Sequence, residues 1–100
     1  MGAYMTAYVI VDIEVTDPAG YEEYRKLAAP AVVAYGGRFL VRGGTTTTLE
    51  GDWRPKRLVV LEFPSVQRAQ AWWTSDAYRA ARAIRERTAA TNLIVAEGIA

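Results

Sequence analysis

The stretch that decides the fold is Thr6-Ala7-Tyr8-Val9-Ile10-Val11-Asp12-Ile13-Glu14-Val15. It is rich in β-branched residues and predicts a strand. Because side chains alternate across a strand, every second residue from Ala7 onward shares one face, and all of these are apolar. The opposite face holds Tyr8, Ile10, Asp12 and Glu14. A strand with apolar residues on both faces needs cover on both sides.

Cap and turn residues divide the rest of the chain into further elements. The predicted elements are a helix from Pro18 that ends before Gly36, a strand over Arg38–Arg42 that continues over Thr45–Leu49, a strand over Lys56–Phe63, a short helix from Pro64 to Trp73, a helix from Ala77 to Arg87, and a strand over Asn92–Ala96. Pro30 predicts a kink or break of the first helix near Ala29. The order β-α-β-β-α-β is the ferredoxin-like arrangement, an α+β fold with a four-stranded antiparallel sheet and helices on one face. We predict one domain over residues 1–100.

The same two-faced pattern recurs in the other strands and predicts a homodimer. The predicted helices form two helical segments, one after the first strand and one before the last. Two such segments can cover only one face of four strands, so the second face would expose a group of apolar side chains. These are Tyr8, Ile10, Leu40, Leu58, Val60 and Ile94. An exposed apolar patch of this size is typical of an interface, and a second copy presenting the same face is the simplest cover. The tails are too short to cover it instead.

Composition excludes several kinds of chemistry. The chain has no cysteine and no histidine, which removes disulfides, thiol nucleophiles, Ser-His-Asp catalysis and imidazole or thiolate metal sites. A formal net charge of +1 gives no broad field toward nucleic acid or an anionic membrane. No stretch resembles a signal peptide or a membrane span, so we expect a cytoplasmic protein. We also expect that it needs neither metal nor cofactor.

Charged residues on the second face are the candidates for chemistry. Alternation places Asp12, Arg42 and Glu62 there with Glu14, among apolar neighbours. One hypothesis is a network of ion pairs across the dimer. The other is a polar pocket in which Arg42 orients or polarises a substrate while Asp12 or Glu62 moves a proton. Further candidates for substrate binding are Tyr35, Gly43, Trp53 and Trp72.

The second helical region carries five arginines, which we interpret as a solvated basic face. They are Arg68, Arg79, Arg82, Arg85 and Arg87. The ferredoxin-like topology is shared with RNA-recognition modules, but those need aromatics flanked by glycine on the third strand. The third strand, Arg57–Phe63, lacks that pattern, so nucleic acid is not an expected partner.

Three segments resemble the DUF1330 family, and the resemblance as a whole covers nearly the whole chain. They are Gly36–Ser65, with its core Gly36-Gly37-Arg38-Phe39-Leu40-Val41-Arg42-Gly43-Gly44, then Ala71–Tyr78, and the closing Val95-Ala96-Glu97-Gly98. Trp73 departs from the tyrosine that such sequences often carry. The resemblance implies the dimeric α/β-barrel superfamily, in which two ferredoxin-like sheets face each other, but it implies no established function.

Two classes of function follow. The first is a small dimeric enzyme that works without a cofactor on a carbonyl-bearing or aromatic metabolite. The second is a non-catalytic dimer that binds a small molecule or is structural, in which the charges only set how the two copies align.

Overall fold

The computed structural model describes residues 5–99, and its elements follow the predicted order. They are β1 (Ala7–Val15), α1 (Pro18–Ala34), β2 (Arg38–Arg42), β3 (Arg57–Phe63), α2 (Val66–Thr74), α3 (Asp76–Thr88) and β4 (Ala89–Glu97). The strands form one antiparallel sheet in the order β2-β3-β1-β4. The predicted α+β, ferredoxin-like architecture is confirmed.

The core lies between one face of the sheet and the helices. The residues of β1 that alternate from Ala7 to Ile13 are buried, together with Val59, Leu61 and Phe63 of β3. On the helix side, α1 packs against α3, and α2 packs against β1, β3 and β4. The rings of Phe63 and Trp72 lie 5.2 Å apart. Burial of these side chains is the main stabilising term.

Helix boundaries follow from capping residues. The Asp17 carboxylate accepts the Gly20 N–H at 3.2 Å, and the Ser75 hydroxyl accepts the Tyr78 N–H at 3.1 Å. The prediction of a break near Ala29 is wrong, because α1 runs through Pro30 without interruption. Pro30 is on the exposed side of the helix, so water can satisfy the carbonyl that loses its partner.

A β-bulge in β2 changes which side chains share a face. Phe39 pairs with Leu61, but Val41 pairs with Val60, so one extra residue, Leu40, is inserted between them. The strand then ends at Arg42. The predicted continuation over Thr45–Leu49 is wrong, because residues 43–56 form no strand.

Gly43 explains why the chain leaves the sheet at this point. Its φ of +74° lies in the left-handed region that favours glycine, and its N–H donates to the Leu58 carbonyl at 2.8 Å. The following loop is held by a hydrogen bond of 2.7 Å from the Thr48 hydroxyl to the Trp53 carbonyl. The segment Thr45–Leu49 therefore forms a loop and not a strand, despite the high β-propensity of its threonines.

The second face of the sheet, here called the open face, carries no helix from the described residues 5–99. The molecule is thin, with principal extents of 45 × 37 × 16 Å, which fits one sheet and one helical layer. Leu40 and Ile94 on this face are 43% and 58% exposed. The predicted apolar second face is therefore present.

Candidate functional site

The two predicted acidic site residues lie on the open face, each with its own partner. Asp12 accepts a hydrogen bond of 2.8 Å from the Trp53 indole Nε1. Glu62 pairs with Arg38 at 2.7 Å. Both contacts are solvent-exposed; the first attaches the loop to β1, and the second joins β2 to β3. Asp12 also lines an open groove of about 280 Å³ together with Glu14, Arg54 and Lys56, and Glu62 does not line it.

The prediction that Arg42 lies beside these carboxylates is wrong. The extra residue of the bulge turns Arg42 to pair with the buried Val59, so it shares the helix face of the sheet. Its guanidinium carbon lies 4.2 Å from the centre of the Phe39 ring. Because the sheet separates Arg42 from Asp12 and Glu62, the three residues cannot act on one substrate.

On the helix side, the largest cavity has a volume of about 510 Å³ and lies between α2, α3 and β4. We call it the tryptophan cavity. Its lining comprises Val9, Ala69, Gln70, Trp72, Trp73, Thr74, Arg85, Thr91, Leu93 and Val95. This combination of apolar walls and a few polar groups, at this volume, is typical of small-molecule sites, which span roughly 300–1,000 Å³.

Arg85 is the only charged residue of that lining, and it is buried. Its Nη1 donates to the Tyr78 hydroxyl at 2.9 Å, and the Tyr78 and Tyr24 hydroxyls are 2.8 Å apart. Within the described chain, Arg85 Nε and the Trp72 indole Nε1 are buried without a hydrogen-bond partner. Unsatisfied buried donors are costly, and an acceptor supplied by a ligand would relieve that cost.

The two tyrosines remain protonated over a wide pH range. Burial raises the pKa of Tyr24 above its ordinary value of 10.0, and the nearby Tyr78 raises it further. Burial also raises the pKa of Tyr78, although Arg85 opposes the shift. At neutral pH these hydroxyls can donate or share hydrogen bonds, but they cannot act as bases.

A second, smaller cavity of about 30 Å³ lies on the other side of Trp72. We call it the arginine cavity, because Arg25, Arg42 and Arg57 line it together with aromatic and aliphatic side chains. The hydroxyl-bearing rings of Tyr24 and Tyr78 also line it. The chain Arg85–Tyr78–Tyr24 thus connects the two cavities.

The four predicted substrate-binding residues do not come together in one site. Trp72 is 2% exposed and lines both cavities. Gly43 adjoins the arginine cavity, where a side chain in its place would collide with the Arg57 guanidinium. Tyr35 lies under Arg68, with 5.4 Å between the guanidinium carbon and the ring centre, and Trp53 lies on the open face.

The residue that sequence reasoning missed is Arg85, which the basic surface interpretation placed in solvent. It is 5% exposed, so that interpretation is wrong for this side chain. The signal was present in the spacing, because Tyr78, Ala81, Arg85 and Thr88 recur every three or four residues and form the buried face of α3. An arginine within such a stripe is a candidate for a buried polar role.

Fold and cavities together define a small ferredoxin-like protein with a potential ligand site between sheet and helices. The chain belongs to the family described as Domain of unknown function (DUF1330), whose model matches residues 6–99. The resemblance noted in the sequence is therefore confirmed. No curated protein sequence matches the chain.

Solved structures share the fold at low sequence identity. The RPA0582 protein of unknown function from Rhodopseudomonas palustris superposes with a TM-score of 0.76 at 18% identity, covering 96% of this chain and 84% of that one. SnoaB, a cofactor-independent oxygenase from Streptomyces nogalater, gives 0.64 at 10% identity, covering 96% and 95%. A dimeric ferredoxin-like protein of unknown function from Thermobifida fusca gives 0.64 at 18% identity, covering 97% and 94%. These likenesses define the fold alone.

Within residues 5–99, no helix is both long and apolar enough to span a bilayer. No group of three or more acidic side chains in the same range lies close enough together to hold a metal ion.

Proposed function

We propose that this protein binds a small aromatic or carbonyl-bearing metabolite in the tryptophan cavity and acts on it without a cofactor. The observation that carries the proposal is a cavity of about 510 Å³ with the buried Arg85 in its wall. Trp72 and Trp73 supply flat apolar surfaces for an aromatic ring. The SnoaB likeness supports a cofactor-free reaction only in so far as the fold accommodates one.

The chemistry that this arrangement supports is stabilisation of negative charge on an oxygen. A buried guanidinium beside an apolar wall interacts strongly with a carbonyl oxygen that becomes an enolate or alkoxide. Tyr78 accepts a hydrogen bond from Arg85 Nη1, which holds the guanidinium in position. Arg85 therefore takes the polarising role that the sequence had suggested for Arg42.

A non-catalytic binding protein is the second candidate, and one observation favours it. No carboxylate lines the tryptophan cavity, and the adjoining tyrosines have raised pKa values, so the described residues provide no base. A substrate that must lose a proton would need to be acidic already or to give its proton to water.

Binding in this cavity can be tested by the fluorescence of the indole rings. Wild-type protein and variants are titrated with a panel of phenols and quinones, all in a Trp53→Phe background that removes the remote indole. Val95→Phe narrows the tryptophan cavity, whereas Val33→Phe makes the same substitution at an exposed position of α1 as a matched control. We expect quenching in the parent and in the control and its loss in Val95→Phe. Equal quenching in both variants would refute this location.

Catalysis is tested with the ligands that bind. Each is incubated with protein in air without added cofactor, and products are followed by mass spectrometry. Turnover that disappears in Arg85→Met while Trp quenching persists supports the enzyme. Binding without any product supports the non-catalytic alternative.

We further propose that the protein is a homodimer joined through its open faces. The exposed apolar side chains there, and the dimeric Thermobifida fusca protein of the same fold, support this assembly. Ile94→Asp should give a monomer by light scattering, because burying an unpaired carboxylate at such an interface costs several kcal/mol. Val33→Asp changes a residue that is 68% exposed on α1 and should leave the dimer intact. Identical masses for both variants would contradict the interface.

A further inference from the structure

Positive charge in the arginine cavity is not balanced by the residues that line it. Arg25, Arg42 and Arg57 contribute three guanidiniums, and no acidic side chain is among the lining residues. Arg25 pairs with Glu22 at 3.1 Å. Arg42 and Arg57 form no ion pair with any residue in the range 5–99. Two cations therefore share a small cavity without a counter-charge.

The surroundings increase the cost of that arrangement. Arg57 Nε and Arg25 Nε are buried and have no hydrogen-bond acceptor among the described residues. Each of the two unpaired guanidiniums lies near an aromatic ring, with the Arg42 guanidinium carbon 4.2 Å from the centre of Phe39 and that of Arg57 5.8 Å from the centre of Tyr21. Aromatic faces attract cations, but they do not satisfy N–H donors or separate like charges as an anion does.

Local backbone structure brings these arginines together. The bulge in β2 turns Arg42 to the helix face, and Gly43 has no side chain where the Arg57 guanidinium passes. A plain strand with any other residue at position 43 would lose both features. Two separate departures from regular structure thus serve the same cluster.

We propose that the arginine cavity binds a small oxyanion, the carboxylate or phosphate group of a metabolite or the corresponding free ion. A volume of about 30 Å³ accommodates roughly two water-sized groups, so only the oxygen atoms of such a head group enter as the cavity stands. Guanidinium groups bind carboxylate and phosphate in two-pronged geometry, and converging arginines are suited to both. This site is separate from the tryptophan cavity and does not depend on its ligand.

The test follows the arginine Nε–H resonances of the full chain by NMR during titration with acetate or inorganic phosphate. Acetamide serves as the neutral analogue of acetate, and a separate titration with sodium chloride to the same ionic strength serves as the control for charge screening. We expect the Arg57 resonance to shift with at least one oxyanion and with neither acetamide nor chloride. A response to acetate, to phosphate or to both then separates the possible sources.

Variants locate the site. Arg57→Gln and the more exposed Arg42→Gln should each weaken oxyanion binding about ten-fold or more, since each removes a charge-assisted hydrogen-bonding group. Arg87→Gln removes an exposed arginine at the end of α3 and should leave the affinity unchanged. Arg42→Gln keeps the test valid if Arg57→Gln does not fold. The proposal is overturned by an absence of any shift, by an equal response to chloride, or by equal weakening in Arg87→Gln.

Discussion

Removing one hydroxyl group by Tyr78→Phe should lower the free energy of unfolding by more than the loss of a single surface hydroxyl would. Tyr78 is fully buried, and its oxygen accepts from Arg85 Nη1 at 2.9 Å and lies 2.8 Å from the Tyr24 oxygen. Phenylalanine fills the same space, so the core is not reshaped. What changes is that a buried guanidinium and a part-buried hydroxyl lose their common partner.

The magnitude follows from the two bonds. A hydrogen bond to a charged group contributes about 1.5–3 kcal/mol and one between neutral groups about 0.5–1.5 kcal/mol. Tyr78→Phe should therefore lower the free energy of unfolding by about 2–4 kcal/mol. For a domain of this size that corresponds to a fall in Tm of at least about 8 °C.

Two matched variants give the expected ranking. Tyr24→Phe loses only the bond between the hydroxyls, while Arg85 keeps its partner, so it should cost about 1 kcal/mol. Within residues 5–99 the tyrosine hydroxyls with hydrogen-bond partners are those of Tyr24 and Tyr78, so Tyr35→Phe should stay within about 0.5 kcal/mol of the parent. The double variant of Tyr24 and Tyr78 should cost less than the sum of the single changes, because both remove the same bond.

The assay is urea denaturation followed by circular dichroism, with equal m-values as the check that the variants unfold from the same state. A Tyr78→Phe variant as stable as Tyr35→Phe would show that the hydroxyl chain contributes nothing. If Tyr24→Phe lowered the free energy of unfolding as much as Tyr78→Phe, Arg85 would not be the main partner of the Tyr78 hydroxyl.

Two further predictions concern packing and pH. In Gly37→Ala the new methyl would lie 2.6 Å from the Phe63 ring, so the free energy of unfolding measured in urea should fall by about 1–3 kcal/mol. Gly44→Ala is the control, because its new methyl would have no atom within 4 Å and should leave stability nearly unchanged. Stability should also decline above pH 10. Tyr24 and Tyr78 have raised pKa values in the folded protein, so above this pH they ionise in the unfolded chain first, whereas at lower pH both states keep the proton. Denaturation midpoints measured across this range should fall less steeply when Tyr24 and Tyr78 are both phenylalanine, and an unchanged slope would contradict the assignment.

Local patterns in the sequence were sufficient for the order of elements and for the two-faced sheet. Alternation in Thr6–Val15 correctly separated the core residues from Tyr8 and Ile10, because a regular strand preserves its period of two. Cap and turn residues correctly divided the chain into its helices and strands. Such features depend on neighbouring residues only.

The candidate site was less accessible because it depends on departures from regularity. Alternation cannot anticipate that Leu40 is inserted as an extra residue, and that insertion moves Arg42 away from Asp12 to the other side of the sheet. The burial of Arg85 depends on Tyr78 and Tyr24, which come together only when α1 packs against α3. Charge in a helical sequence is usually solvated, and tertiary packing decides the exceptions.

The extra residue in β2 also bears on how relatives should be compared. An aligned arginine faces the helices in a chain that carries the insertion and lies on the open face in a chain that lacks it. Identity at position 42 in an alignment is therefore insufficient to transfer a role from one homologue to another. The strand lengths between Gly37 and Gly43 must be matched first, since a single deletion there would move the arginine from the helix face of the sheet to the open face.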